Sequence, residues 1–180
     1  GQNGIRFELA DPEIDEYGEA LGSFPPPNSN PSGLAWDGTS LWNTSQINPN
    51  CWELDLNGNV LSSFPLPGLW CYDLAYDGRN MWFAQYGDHQ VYKLDMDGNV
   101  LLQVGIEECE GVTFDGEFIW VSSITPGENL FRLNLDGEIL QSYTGPNHSI
   151  AGLAYGCDGY LWAVNQAGDC LLYTSPSPRD

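Results

Sequence analysis

Apolar and polar residues alternate along this chain in short runs closed by glycine. Tyr92, Leu94 and Met96 share one side of a run whose other side carries Lys93 and Asp95. Phe131, Leu133 and Leu135 repeat the pattern, and Trp52, Leu54 and Leu56 do so against Glu53 and Asp55. A period of two is strand periodicity, because successive side chains of a strand point to opposite faces. After each run comes a turn, Asn57-Gly58-Asn59, Asp97-Gly98-Asn99 or Asp136-Gly137-Glu138, and then an apolar pair, Val60-Leu61, Val100-Leu101 or Ile139-Leu140. Glycine reaches the positive φ angles of tight hairpins, so each stretch reads as two antiparallel strands.

Another hairpin precedes each of these. Gly33-Leu34-Ala35-Trp36-Asp37-Gly38, Asp73-Leu74-Ala75-Tyr76-Asp77-Gly78 and Gly111-Val112-Thr113-Phe114-Asp115-Gly116 give a first strand and its turn. Leu41-Trp42, Met81-Trp82 and Ile119-Trp120 open the second strand. A fourth copy starts at Gly152-Leu153-Ala154-Tyr155 and reaches Leu161-Trp162 through a longer turn containing Asp158-Gly159. Four short strands recurring every ~40 residues predict an all-β protein, a β-propeller of four-stranded antiparallel blades. Ala20 to Pro25 matches Val60 to Pro65, which makes it the fourth strand of an earlier unit, with Ile5 to Leu9 before it.

The expected organisation is a partial blade over 1–30, blades over 31–70, 71–108 and 109–149, and a partial blade over 150–169. About four repeats then form an incomplete arc of a larger propeller, in preference to a closed four-bladed ring with one shared blade. Cys170 to Asp180 breaks the repeat and resembles an in-frame translated sequencing adapter, so 170–180 is read as a non-native tail. Regular structure is expected to stop after a second strand near Val164. Gly1 reads as an internal residue of a longer chain or a mature N-terminus.

The unit Gly-Leu-Ala-Tyr-Asp-Gly, then Leu-Trp, then Leu-Asp-x-Asp-Gly-Asn-Val-Leu resembles the NHL-type and virginiamycin B lyase-like propeller superfamily. Glutaminyl cyclotransferase-type propellers have similar units. The resemblance covers roughly Ile5 to Val164 and implies a fold more than a function, since the superfamily spans binding modules, lyases and hydrolases. It also implies that the two Gly hairpins of each blade lie on one face. The other connections gather on the opposite face.

Composition narrows the partners. The chain of 180 residues has a formal charge of −20, with Lys93 and four arginines as its cations. Phosphate binding needs clustered cations, so nucleic acid is excluded as a partner. No run approaches the ~18 apolar residues of a membrane helix, so no membrane insertion is expected. An acidic propeller of this kind is expected outside the cytoplasm, extracellular or periplasmic.

Candidate site residues lie on the poorly repeated loops, where function tends to ride on a rigid scaffold. Trp70, Tyr72 and Tyr86 offer an aromatic platform for a protein, peptide or glycan. Asp88, His89 and His148 accompany them, and Glu107, Glu108 and Glu110 form an acidic run before an innermost strand. That run offers two or three of the oxygen ligands calcium takes, although a solvated acidic loop explains it more simply. No cofactor motif and no metal set is present. Asp95-Met96-Asp97-Gly98-Asn99 lacks the spacing of a calcium loop and is explained by turn chemistry.

The tryptophans at 42, 82, 120 and 162 repeat at one register and read as packing between blades. Cys71 and Cys109 occupy equivalent positions, and Cys51–Cys71 or Cys71–Cys109 is a candidate disulfide in an oxidising compartment. No nucleophile elbow, phosphate loop or dinucleotide fingerprint occurs. The expected function is therefore a non-catalytic binding or scaffold module. The alternative is a lyase or cyclotransferase-type enzyme using His89 or His148 with nearby glutamates as acid and base.

Overall fold

Four antiparallel sheets account for the regular structure in a computed structural model that describes residues 22–145, 149–157 and 159–165 and the backbone of 171–174. The first contains β1 (Pro31–Trp36), β2 (Leu41–Ser45), β3 (Asn50–Leu54) and β4 (Val60–Pro65). The second contains β5 (Cys71–Tyr76), β6 (Met81–Gln85), β7 (Gln90–Leu94) and β8 (Val100–Gly105). The third contains β9 (Cys109–Phe114), β10 (Ile119–Ser123), β11 (Leu130–Leu133) and β12 (Ile139–Tyr143), and the last β13 (Ile150–Tyr155), β14 (Leu161–Asn165) and β15 (Leu171–Thr174). Strands pair in chain order within every sheet. Between sheets, β1 meets β5, β5 meets β9 and β9 meets β13, so the first strand of each blade lines the inside of an arc. The arrangement is part of a β-propeller.

One expectation needs correction. Leu171–Thr174 pairs with β14, from Leu161↔Thr174 to Val164↔Leu171, so regular structure does not end near Val164. β14 presents an edge with which the backbone of this segment pairs.

Two side-chain devices set the hairpins. In the first, Asp37, Asp77 and Asp115 each accept backbone N–H groups two and three residues on, and the second carboxylate oxygen accepts the indole Nε1–H of Trp42, Trp82 or Trp120 at 2.7–2.8 Å. The turn aspartate and the following tryptophan are thus one unit. In the second hairpin, Asp55 and Asp95 accept the N–H groups two and four residues on and the side-chain Nδ2–H of Asn59 or Asn99. Bonds from Asn99 hold the Asp95 carboxyl below its ordinary range. Its calcium-like spelling therefore serves a turn.

The period-two expectation fails in the middle of the blades. Every residue of β6 is buried, and in β7 the neighbours Val91 and Tyr92 both are. Each sheet is covered by a blade on either side, so alternate residues face two different cores. Phe83, Met81 and Leu94 join the core facing the first blade, whereas Trp82, Ala84 and Val91 join the one facing the third. The tryptophans grade with that packing. Trp42 and Trp82 are buried, but Trp120 and Trp162 are only half-buried.

A second link joins successive blades. Phe64 of β4 packs on Gly98 in the next blade, where an added Cβ would lie 2.7 Å from the Phe64 Cβ. Phe24 covers Gly58 in the same way, which places the stretch around it in the role of a preceding fourth strand. Lys93 reaches the third blade by donating to the Leu135 carbonyl at 2.7 Å, while lying 3.6 Å from Asp77 and over the Trp82 ring.

The disulfides considered above are not formed, since Cys51, Cys71 and Cys109 are buried free thiols. Cys71 Sγ–H donates to the Asp73 carbonyl at 3.5 Å and Cys109 Sγ–H to that of Gln90 at 3.3 Å. Burial among apolar groups pushes the Cys109 thiol up to about 12.

Candidate functional site

Every innermost strand is irregular at its start. Register shifts fall between Pro31 and Leu34, Cys71 and Asp73, Val121 and Ser123 opposite β9, and Ile150 and Gly152. Such bulges re-aim side chains. Here they do so at Ser32, Tyr72, Glu110 and Ala151, one step before the repeat position held by Gly33, Asp73, Gly111 and Gly152. Gly33 is required there, because an added Cβ would come 2.8 Å from the Cα of Asp73. The N–H groups of Gly33 and Gly111 donate to Thr44 Oγ1 and Ser122 Oγ.

The residue just before β1, β5 and β9 carries strain. Asn30, Trp70 and Glu108 have φ of 54, 60 and 47°, and His89 in the β6–β7 loop has 54°. Non-glycine residues in this region cost energy and hold only where their surroundings over-determine them. A run of backbone bonds supplies that constraint. Gln46 N–H donates to Asn30, Trp70 N–H to Gln46, Tyr86 N–H to Trp70, His89 N–H to Tyr86 and Ile106 N–H to His89. Farther along, Ile124 N–H donates to Glu108. The two kinds of irregular connection therefore meet on one face, as the resemblance implied.

On that face four predicted residues converge. Tyr86 is the hub, with ring centroids 5.3 Å from Tyr72, 6.3 Å from Trp70 and 6.2 Å from His89. Trp70 remains 49% exposed. His89 Nδ1 accepts the Glu108 N–H at 3.1 Å, which assigns that nitrogen as the acceptor and leaves Nε2 at the surface. Tilted ring pairs at these separations are favourable and leave ring faces open for a ligand.

Beside the rings lies a cavity of about 550 Å³. Tyr72, Asp73 and Glu110 form its polar side, and Ala151, Leu153 and Trp162 belong to its apolar wall. Asp73 accepts the Leu74 N–H at 2.9 Å and the Val112 N–H at 3.0 Å, bridging β5 to β9. Burial outweighs those two bonds and raises its carboxyl to about 7. Glu110 is 4% exposed and has no hydrogen bond or ion pair among the described residues. Burial, then the charge of Glu108, raises it to about 6. Tyr72 is raised by burial and by the charges of Glu110 and Tyr86.

The remaining predicted residues stand apart. Asp88 accepts the Tyr92 hydroxyl at 3.2 Å and lies against Gly68. Glu107 is exposed, and its carbonyl takes the Ser123 hydroxyl. His148 lies outside the described residues. Among those residues no group of three or more His, Cys, Asp or Glu side chains is placed to hold a metal ion, and no helix is long and apolar enough to cross a membrane.

Asp73 was missed as a site residue, because it served as an anchor for the repeat. Its signal was available, since it replaces the glycine of the other three units with a charge. Gln85 was missed too. It stands where Ser45 and Ser123 tie down their loops, and it is fully buried with neither amide atom hydrogen-bonded.

No family model matches the chain, and no curated protein matches it in sequence. Solved structures do match in fold. Virginiamycin B lyase from Staphylococcus aureus is 19% identical, with a TM-score of 0.60 over 83% of this chain and 57% of its own. Myxococcus xanthus glutaminyl cyclase is 16% identical, with a TM-score of 0.65 over 81% of this chain and 65% of its own. A nidogen/laminin complex is 17% identical, with a TM-score of 0.64 over 75% of this chain and 56% of that one. This chain thus spans less than two thirds of each. The likeness is to the virginiamycin B lyase-like propeller fold, which carries enzymes and binding proteins alike.

Proposed function

We propose that this chain is a non-catalytic, extracytoplasmic propeller module that binds a protein or peptide segment across its irregular-loop face. The observation that carries this reading is the convergence of Trp70, Tyr72 and Tyr86 around an exposed indole whose backbone is held in a left-handed conformation. Rigid aromatic anchors provide large contact area at little entropic cost. His89 argues against an acid–base role, because Nδ1 already accepts a backbone amide and no carboxylate pairs with the ring among the described residues. That one similar structure is a nidogen/laminin complex is compatible with a protein partner.

Binding to peptide and glycan arrays tests the proposal. Peptide ligands are expected, with Trp70→Ala weakening them by at least tenfold, or about 1.4 kcal/mol and more. Trp70-dependent binding of glycans alone would reassign the ligand class. Equal binding by wild type and Trp70→Ala would overturn the site.

A further inference from the structure

We propose that the cavity beside the aromatic platform is a subsite for a primary ammonium group carried on an apolar body. The inference deepens the binding reading above and rests on it. Its first support is Glu110. Glu110 is 4% exposed as a residue and lines the cavity, and its carboxyl meets no donor or cation among the described residues, so the water it keeps is the water a ligand entering the cavity would displace. Such a group is costly to bury unless a partner arrives.

The cavity specifies that partner. Tyr72 and Asp73 stand beside Glu110, and Asp73 is held in place by the amides of Leu74 and Val112. An ammonium group has three N–H donors, which suits a charged carboxylate, a second carboxyl and a phenol oxygen. The opposite wall, with Ala151, Leu153 and Val164, has no polar side chain to offer and fits carbon. Hard metal ions want six or more oxygens, and this wall adds no side-chain oxygen. An ammonium ion can also lie against a tyrosine face. Among the described residues, Lys93 is committed to Leu135 and Asp77, and Arg132 lies over Phe118.

Among the described residues, the titratable groups around Glu110 and Asp73 are Tyr72 and Cys71 on β5, Cys109 on β9, and Glu108 and Tyr86 in the loops, with His89 behind Tyr86 and Glu108 and outside the cavity lining. The lining residues of β13 and β14 include none. Acidification therefore discharges the carboxyls without creating a new cation in the cavity wall, and it should weaken ammonium binding.

The test uses the full 180-residue chain with phenethylammonium as probe and 2-phenylethanol as its neutral counterpart, followed by NMR titration. At pH 8 the ammonium is expected to bind at least tenfold more tightly than the alcohol. Glu110→Gln should remove that preference, and lowering the pH to 5 should reduce it in wild type only. Ala154→Phe, at an exposed point on the rim, should block both probes if Glu110→Gln fails to fold. Equal binding of the two probes, or an unchanged preference in Glu110→Gln, overturns the subsite. So does calcium that displaces the probe and itself requires Glu110. Two peptides of one sequence, one with a free N-terminus and acetylated lysine and one with the reverse, then separate the sources. Binding by either supports the subsite and names the amine, and binding by neither supports a free small amine. Loss of the ammonium preference alongside intact, Trp70-dependent peptide binding would sink this subsite and spare the platform.

Discussion

Asp77 does three jobs with one carboxylate. It closes its own turn through the amides of Arg79 and Asn80, accepts the indole of buried Trp82, and faces Lys93. Burial acts to raise its pKa, yet the Trp82, Asn80 and Arg79 bonds and the Lys93 charge together lower it. Asp77→Ala should cost about 2–4 kcal/mol in urea unfolding, because it strands a buried indole N–H and two turn amides. Asp115→Ala should cost about half as much, since Trp120 is half-exposed and water can replace the lost acceptor. Equal losses would mean the turn, and not the buried indole, carries the effect. At the site, two kinds of acid stand side by side. Asp73 is braced by two amides, and Glu110 has no partner among the described residues.

Within a blade, Gly98 and Gly78 show how turn and packing divide the work. Both have positive φ, 86 and 91°, so alanine is strained at either. Only at Gly98 would the new Cβ strike Phe64, whereas nothing lies within 4 Å at Gly78. Thermal unfolding should therefore show Gly78→Ala losing about 1 kcal/mol and Gly98→Ala about 2–3 kcal/mol. The turns themselves were legible in the sequence because Gly, Asp and Trp signal through local geometry. Phe24 could likewise be matched to Phe64. The alternation was misleading, since β6 and β7 are covered on both faces and periodicity cannot report a blade's two neighbours. Trp70, Tyr72 and Tyr86 were legible as loop aromatics, but their convergence depends on strained backbone that no composition signals. Asp73 was hidden by its own regular spacing.

For the whole molecule, the two classes of carboxyl pull stability in opposite directions with pH. Asp73 and Glu110, raised to about 7 and 6 from ordinary values of 3.8 and 4.5, bind protons more tightly folded than unfolded. Their contribution is present at low pH and is lost as pH rises through the folded values. Asp37, Asp55, Asp77 and Asp95 are lowered, so theirs is lost as pH falls below about 4. The melting temperature should peak near pH 4–5 and decline toward pH 8, and Glu110→Gln should flatten the decline. Relief of self-repulsion at a net charge of −20 adds to the same trend but persists in the variant, and salt removes it. The backbone links from Asn30 through Gln46, Trp70, Tyr86 and His89 to Ile106 have a further consequence. In every one, the later residue donates to the earlier, so the links together tie each irregular connection to the one before it in the chain. In hydrogen exchange, the amides of Gln46, Trp70, Tyr86, His89 and Ile106 should be protected together and open as one cooperative unit, although none of the five belongs to a strand.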